Sequence, residues 1–224
     1  MNCPWSFLEP AEISFCEERL CGWVVEPANT WSNIGFILAG LAVLRAARHS
    51  PRVGSTLTGI TAVLVGIGSG LFHATGTRVG EVIDVSAMYL ISALFVTLNL
   101  QRLFSWSSVL IWSFFLGLSV GSIALMLASG SNGIMMFTAQ IVFFGLSEIY
   151  MAMHPERYPA LRKHFYALSL TFGASVAVWL LDLHRIVCMP SNHVLGGHAI
   201  WHLLNGLALW FYFRYQETFP VRRT

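Results

Sequence analysis

Charge is scarce in this chain. Asp, Glu, Lys and Arg make up 11% of the 224 residues against 55% hydrophobic, which leaves too little polar surface to cover a soluble domain of this size. No cluster of cations is present either: the net charge of +2 is spread over several chain segments, so a nucleic-acid partner is not expected. No period of 20–50 residues repeats, which argues against a solenoid or array. The first 28 residues lack the basic start and short apolar run of a cleaved signal. They hold five glutamates instead, Glu9, Glu12, Glu17, Glu18 and Glu26, and read as a polar cap kept in the mature protein.

What the chain has in quantity is long apolar runs. Seven stretches approach the roughly 20 residues needed to cross a bilayer as helix: 31–47, 56–74, 80–99, 107–128, 134–152, 165–183 and 195–214. Turn chemistry separates them, at His49 to Arg52, Gly76-Thr77, Ser105 to Ser107, Ser129 to Gly133 and Pro155 to Pro159. The expected fold is therefore all-α and polytopic. It comprises an extracytoplasmic cap (1–28), one seven-helix membrane domain (29–214) and a tail (215–224). Cations are retained on the cytoplasmic side of short loops. With the N-terminus outside, ten fall inside (Arg45, Arg48, Arg52, Arg102, Arg157, Arg162, Lys163, Arg214, Arg222, Arg223) and three outside (Arg19, Arg78, Arg185). The distribution predicts N-terminus out, C-terminus in.

That topology gathers polar residues near the outer leaflet, where ionisable groups inside a membrane tend to mark function. His73 ends the second span, Asp84 begins the third, and His198 and His202 lie in the first turns of the seventh. Four-residue spacing puts His198 and His202 on one helical face, suited to a single ion. His73 from another helix would complete three ligands, and catalytic zinc commonly takes three protein ligands with a fourth position open. Asp84 suits a general base or a partner of a ligating histidine. Ser69, one turn before His73, suits a donor to a developing oxyanion, or simply a hydroxyl bonded back to its own helix. An HxxxH pair alone arises often by chance, and single histidines near an interface are more often satisfied polar contacts; His49, His154, His164, His184 and His193 are read in that way. Asp182, at the outer end of the sixth span, either joins the site or is locally paired, and Glu148 lies toward the inner end.

These residues resemble a family: the alkaline ceramidases and their bacterial relatives, within a wider group of seven-span membrane hydrolases that includes the adiponectin-receptor-like proteins. The match rests on FCEERL at 15–20, EPANTWSN at 26–33, GIGSGLFHAT at 66–75 followed by Asp84, IVC at 186–188 and HAIWHLLNGL at 198–207. The resemblance implies zinc held by His73, His198 and His202, with Asp84 transferring protons and Ser69 assisting. It implies hydrolysis of the amide of ceramide or a related N-acyl lipid to a long-chain base and a fatty acid, with the site toward the extracytoplasmic leaflet.

The resemblance also implies a calcium site in the cap, drawing on the Phe15 carbonyl, Glu17 and Glu26. Ser14 and Arg19 stand where that family has an Asp and an Asn, and calcium wants six to eight oxygens; Glu12 is a possible substitute ligand. The other reading is that Glu17 and Glu26 cap or pair locally, with Arg19 as one partner. A Cys16–Cys188 disulfide is implied too, although four cysteines, Cys3 and Cys21 included, permit three full pairings. Two other functions fit the histidines less completely: a haem protein using them axially, which leaves His202, Asp84 and Ser69 unexplained, and a non-catalytic seven-helix lipid receptor or transporter.

Overall fold

The computed structural model describes residues 3–49, 52–104 and 106–219. Ser50, Pro51 and Ser105 of the expected turns, the cations Arg222 and Arg223, and the last five residues of the tail lie outside the described residues. Among these residues eight helices follow one another: α1 (Pro27–Trp31), α2 (Ile34–Ala47), α3 (Val53–Thr75), α4 (Arg78–Phe104), α5 (Ser108–Ser129), α6 (Ile134–Met153), α7 (Arg162–Leu183) and α8 (Gly197–Gln216). Among the described residues there is no sheet, only an isolated bridge between Pro10 and Thr77.

Among the described residues six segments are long and apolar enough to cross a membrane: Pro27–Ala47, Val53–Thr75, Arg78–Phe104, Ser108–Ser129, Ile134–Met153 and Arg162–Leu183. The protein is thus an all-helical, multi-pass membrane protein. Helix α8 has 20 residues but is not one of the six, because His198, His202, Asn205 and Arg214 dilute its apolar character. It packs against α7, α2 and α3, so much of its surface faces protein.

The first span starts earlier than the apolar run suggests. Pro27 occupies the first helical turn, where its missing N–H costs nothing. The free N–H groups of Ala28 and Asn29 donate to the Glu17 carboxylate, each at 2.9 Å, so a distant cap residue extends the helix. At Ser32 and Asn33 the ladder tightens to i−3 bonds, Asn33 N to Thr30 O and Gly35 N to Ser32 O, a short 3₁₀-like step that separates α1 from α2.

Close packing between helices relies on small residues, as expected where lipid supplies no hydrophobic drive for association. A Cβ on Gly206 would stand 2.6 Å from the Gly35 carbonyl, so α8 and α2 touch backbone to backbone. A Cβ on Gly80 would stand 2.8 Å from Phe72 Cα, and one on Gly68 3.3 Å from Asp84 Cα, which draws α3 and α4 together beside the polar cluster. Phe36, Val65, Ile91, Phe95 and Tyr212 fill the centre of the bundle. Hydrogen bonds join α4 to α6 and α5: Ser92 Oγ donates to Gln140 Oε1 at 2.7 Å, Gln140 Nε2 to Ser122 Oγ at 2.9 Å, and Asn99 Nδ2 to Ser147 Oγ at 2.8 Å.

Gly206→Ala should therefore destabilise the detergent-purified protein by about 1–3 kcal/mol through overpacking. Gly121→Ala, where a Cβ meets nothing within 4 Å, should be neutral or stabilising through better helix propensity. Thermal unfolding of the two variants checks this; equal midpoints would contradict the α2–α8 contact.

Candidate metal centre

His73 sits in the last turn of α3, while His198 and His202 lie one turn apart at the start of α8. All three are buried, and one ligating atom from each lies within 4.8 Å of the others. His73 Nε2 and His198 Nε2 are 3.2 Å apart. Two nitrogens bound at about 2.0–2.1 Å to a tetrahedral zinc would be separated by about 3.4 Å, so the spacing fits a shared ion of that size.

Two of the rings are fixed from behind. His73 Nδ1 is 2.6 Å from Glu26 Oε2, so with its proton on Nδ1 the ring turns the Nε2 lone pair toward the other histidines. His202 Nδ1 is 2.8 Å from Ser32 Oγ. That hydroxyl donates to Asn29 O at 3.1 Å and so accepts from the ring. Such partners set tautomer and orientation in metal-binding histidines. His198 is held by stacking instead, against Phe15 with centroids 3.6 Å apart and against Trp201 at 5.2 Å. Its Nδ1 has no hydrogen-bond partner among the described residues.

Ser69 and Asp84 are buried beside this cluster. Ser69 Oγ lies 3.5 Å from His202 Nε2, so its hydroxyl reaches across to α8. Asp84 has Ser69 and His73 as polar neighbours, and its Oδ1 is a buried acceptor without a donor among the described residues.

The cap closes over the cluster. Glu26 receives Arg19 Nε on Oε1 at 3.2 Å and Asn29 Nδ2 on Oε2 at 3.1 Å, besides His73. Burial opposes its ionisation, yet the hydrogen bonds from His73 and Asn29 and the charge of Arg19 hold its carboxyl below the usual range. Glu17 takes the two α1 N–H groups and also His193 Nδ1 at 3.0 Å. Glu17 thus caps α1, and Glu26 is paired with Arg19.

Asp182 is likewise paired. Its Oδ2 accepts from His198 N and its Oδ1 from Cys16 N, each at 3.0 Å. A Cβ on Gly197 would come within 3.0 Å of the same carboxylate, so only glycine leaves room for it at the start of α8. Cys16 is disulfide-bonded to Cys188, and Cys3 to Cys21. Glu148, away from the cluster, has Oε1 3.8 Å from Arg102. Sequence reading did not single out Ser32, nor the bridging of His73 by Glu26. EPANTWSN was visible as a motif, but nothing in its spacing assigns partners on other helices.

Three buried imidazoles converging inside a multi-pass bundle form a site that could hold a metal ion. A sequence model of the Ceramidase family matches residues 9–223. Alkaline ceramidase YPC1 of Saccharomyces cerevisiae is 26% identical over 234 residues, covering 89% of this chain and 73% of its own length. The chain belongs to the ceramidase family and is accordingly a hydrolase of a linear amide bond.

Because Asp182 offers both oxygens to backbone N–H groups, Asp182→Asn leaves one donor facing an NH₂. A loss of about 2–3 kcal/mol should appear as a lower melting midpoint and faster proteolysis within residues 3–25. Wild-type cleavage kinetics in the variant would mean that the clamp does not secure the cap.

Proposed function

We propose that the protein is a zinc-dependent amidohydrolase that cleaves the N-acyl amide of ceramide, or of a closely related lipid, from within the membrane. The observation that carries this reading is the convergence of His73, His198 and His202 with ligating atoms inside 4.8 Å, two of the three rings braced on their far nitrogens. Membership of a ceramidase family and the similarity to a yeast alkaline ceramidase support the substrate class. Convergence of three nitrogens on one point favours a small ion over a haem, whose two axial imidazoles must face each other across a plane.

Bound there, zinc would act as a Lewis acid on the amide carbonyl and make a water acidic enough to attack near neutrality. The remaining work falls to side chains of this chain. Glu26 and Ser32 keep a proton on Nδ1 of His73 and His202, so both Nε2 atoms remain ligands. Asp84, with one acceptor oxygen free, takes the proton of the attacking water and returns it to the departing amide nitrogen. Water thus supplies OH to the acyl carbon and H to the amine, giving a fatty acid and a long-chain base. Ser69 donates its hydroxyl to the oxygen on which charge develops.

We read α8 as the seventh span, with the N-terminus and the site on the extracytoplasmic side. The ten-to-three distribution of cations supports this. Two disulfides at the site end of the bundle suit an oxidising compartment.

Purified wild type should contain one zinc per chain by mass spectrometry and hydrolyse ceramide, and His202→Ala should lose both. Zinc without turnover of any lipid amide would instead favour a receptor. Asp84→Asn should keep its zinc while kcat falls by about 10²–10⁴-fold. Turnover at the wild-type rate would remove Asp84 from the chemistry.

A further inference from the structure

Among the described residues Arg19 is the cation that reaches the polar cluster from the cap, and its geometry is specific. Nε donates to Glu26 Oε1 at 3.2 Å, and one terminal nitrogen donates to the Ile13 carbonyl at 2.6 Å. The other oxygen of the same carboxylate holds His73 Nδ1. Glu26 is 1% exposed and Arg19's side chain 30%, so a solvent-facing guanidinium neutralises a fully buried anion. An Arg–Glu–His relay therefore leads from the protein surface to the Nε2 that faces His198.

We infer that Arg19 is a built-in cation of the cap: it fixes Glu26, and through Glu26 the metal-facing His73, and it occupies the role a bound calcium ion would otherwise fill. The inference rests on the zinc reading of the three histidines. Its support lies in how the donors are spent. Both Glu17 oxygens already accept N–H groups of α1, and Glu26 is shared among Arg19, Asn29 and His73. Ser14 is exposed and brings a hydroxyl rather than a carboxylate. A divalent ion here would meet two buried carboxylates that each already accept three hydrogen bonds, and would sit beside a guanidinium that cannot lose its charge. The residues present do not fit calcium. Arg19 is thus a positioning residue, two contacts removed from the reacting atoms.

The test compares chelator-stripped wild type, Arg19→Gln and Arg19→Lys, all full-length in detergent. Zinc affinity is read by competition with a chromophoric chelator, and melting midpoints are read in EGTA and in millimolar calcium. The wild-type midpoint should be the same with and without calcium. Arg19→Gln should bind zinc more weakly, by up to the about 10–100-fold that loss of His73's direct partner Glu26 would cost. Arg19→Lys, which keeps the charge but not the fork, should recover part of that loss. A calcium-dependent rise in the wild-type midpoint would overturn the inference, and this arm decides the matter even if Arg19→Gln does not fold. Unchanged zinc affinity in Arg19→Gln would also overturn it while leaving the metal site intact. Wild type that takes up no zinc would instead sink the metal reading itself, together with what is built on it.

Discussion

The site hangs on one buried contact, the Glu26 carboxylate against His73 Nδ1 at 2.6 Å. The same two residues are joined through the backbone, Glu26 N donating to His73 O at 3.0 Å, and the neighbouring Val25 N to Ala74 O at 2.9 Å. The register between the start of the first span and the end of α3 is thus set by main chain and side chain together. Burying a carboxylate is costly unless its lone pairs are filled. Here Arg19 and Asn29 donate as well, which ties cap residues 3–26 to the helix bundle. Removing one partner of such a pair leaves an uncompensated buried charge, typically a penalty of about 3–5 kcal/mol, so site geometry and cap folding are energetically one problem.

Helix packing solves the complementary problem of distance. Imidazoles from α3 and α8 can share an ion only if their helices approach closely, and α2, which begins just after Ser32, packs against both. Gly206 on Gly35 allows the α2–α8 approach, and Gly68 and Gly80 allow α4 to bring Asp84 beside Ser69. Each is a place where a methyl group would push a functional side chain away from the cluster. Stability and catalytic geometry are therefore drawn from the same small residues.

The sequence made the inner circle of the site visible because its elements are local or nearly so: His198 and His202 on one face of one helix, Ser69 one turn before His73, Asp84 across a short turn. Helix existence was legible for the same reason, since apolar runs report on lipid. What stayed hidden is long-range. Ser32 reaches His202 across 170 positions, Cys16 meets Asp182 across 166, and His193 meets Glu17 across 176; no periodicity encodes such partners. The early start of α1 was missed likewise, because its cap comes from Glu17 and not from an adjacent residue. Glu17 and Glu26 read in the sequence as ion ligands or as local partners with equal chemical sense, because neither their α1 N–H partners nor the Arg19 contact has a sequence signature.

Helix α8 shows how these constraints combine. It is the least lipid-like of the long helices because its histidines and Asn205 face protein, so apolar partitioning alone sets its depth poorly. Its ends are pinned instead. At the N-terminus the Asp182 carboxylate accepts from His198 N. At the C-terminus Arg52 donates to the carbonyls of Gln216, Glu217 and Phe219 at 3.0–3.4 Å. An anion at the start and a cation at the end both match the helix dipole and satisfy groups the helix cannot satisfy itself. A slide of one residue, about 1.5 Å, would break both clamps and carry His198 and His202 away from His73. Electrostatics at the two ends of α8 thus supply the axial precision that a hydrophobic slab, uniform along its depth, cannot.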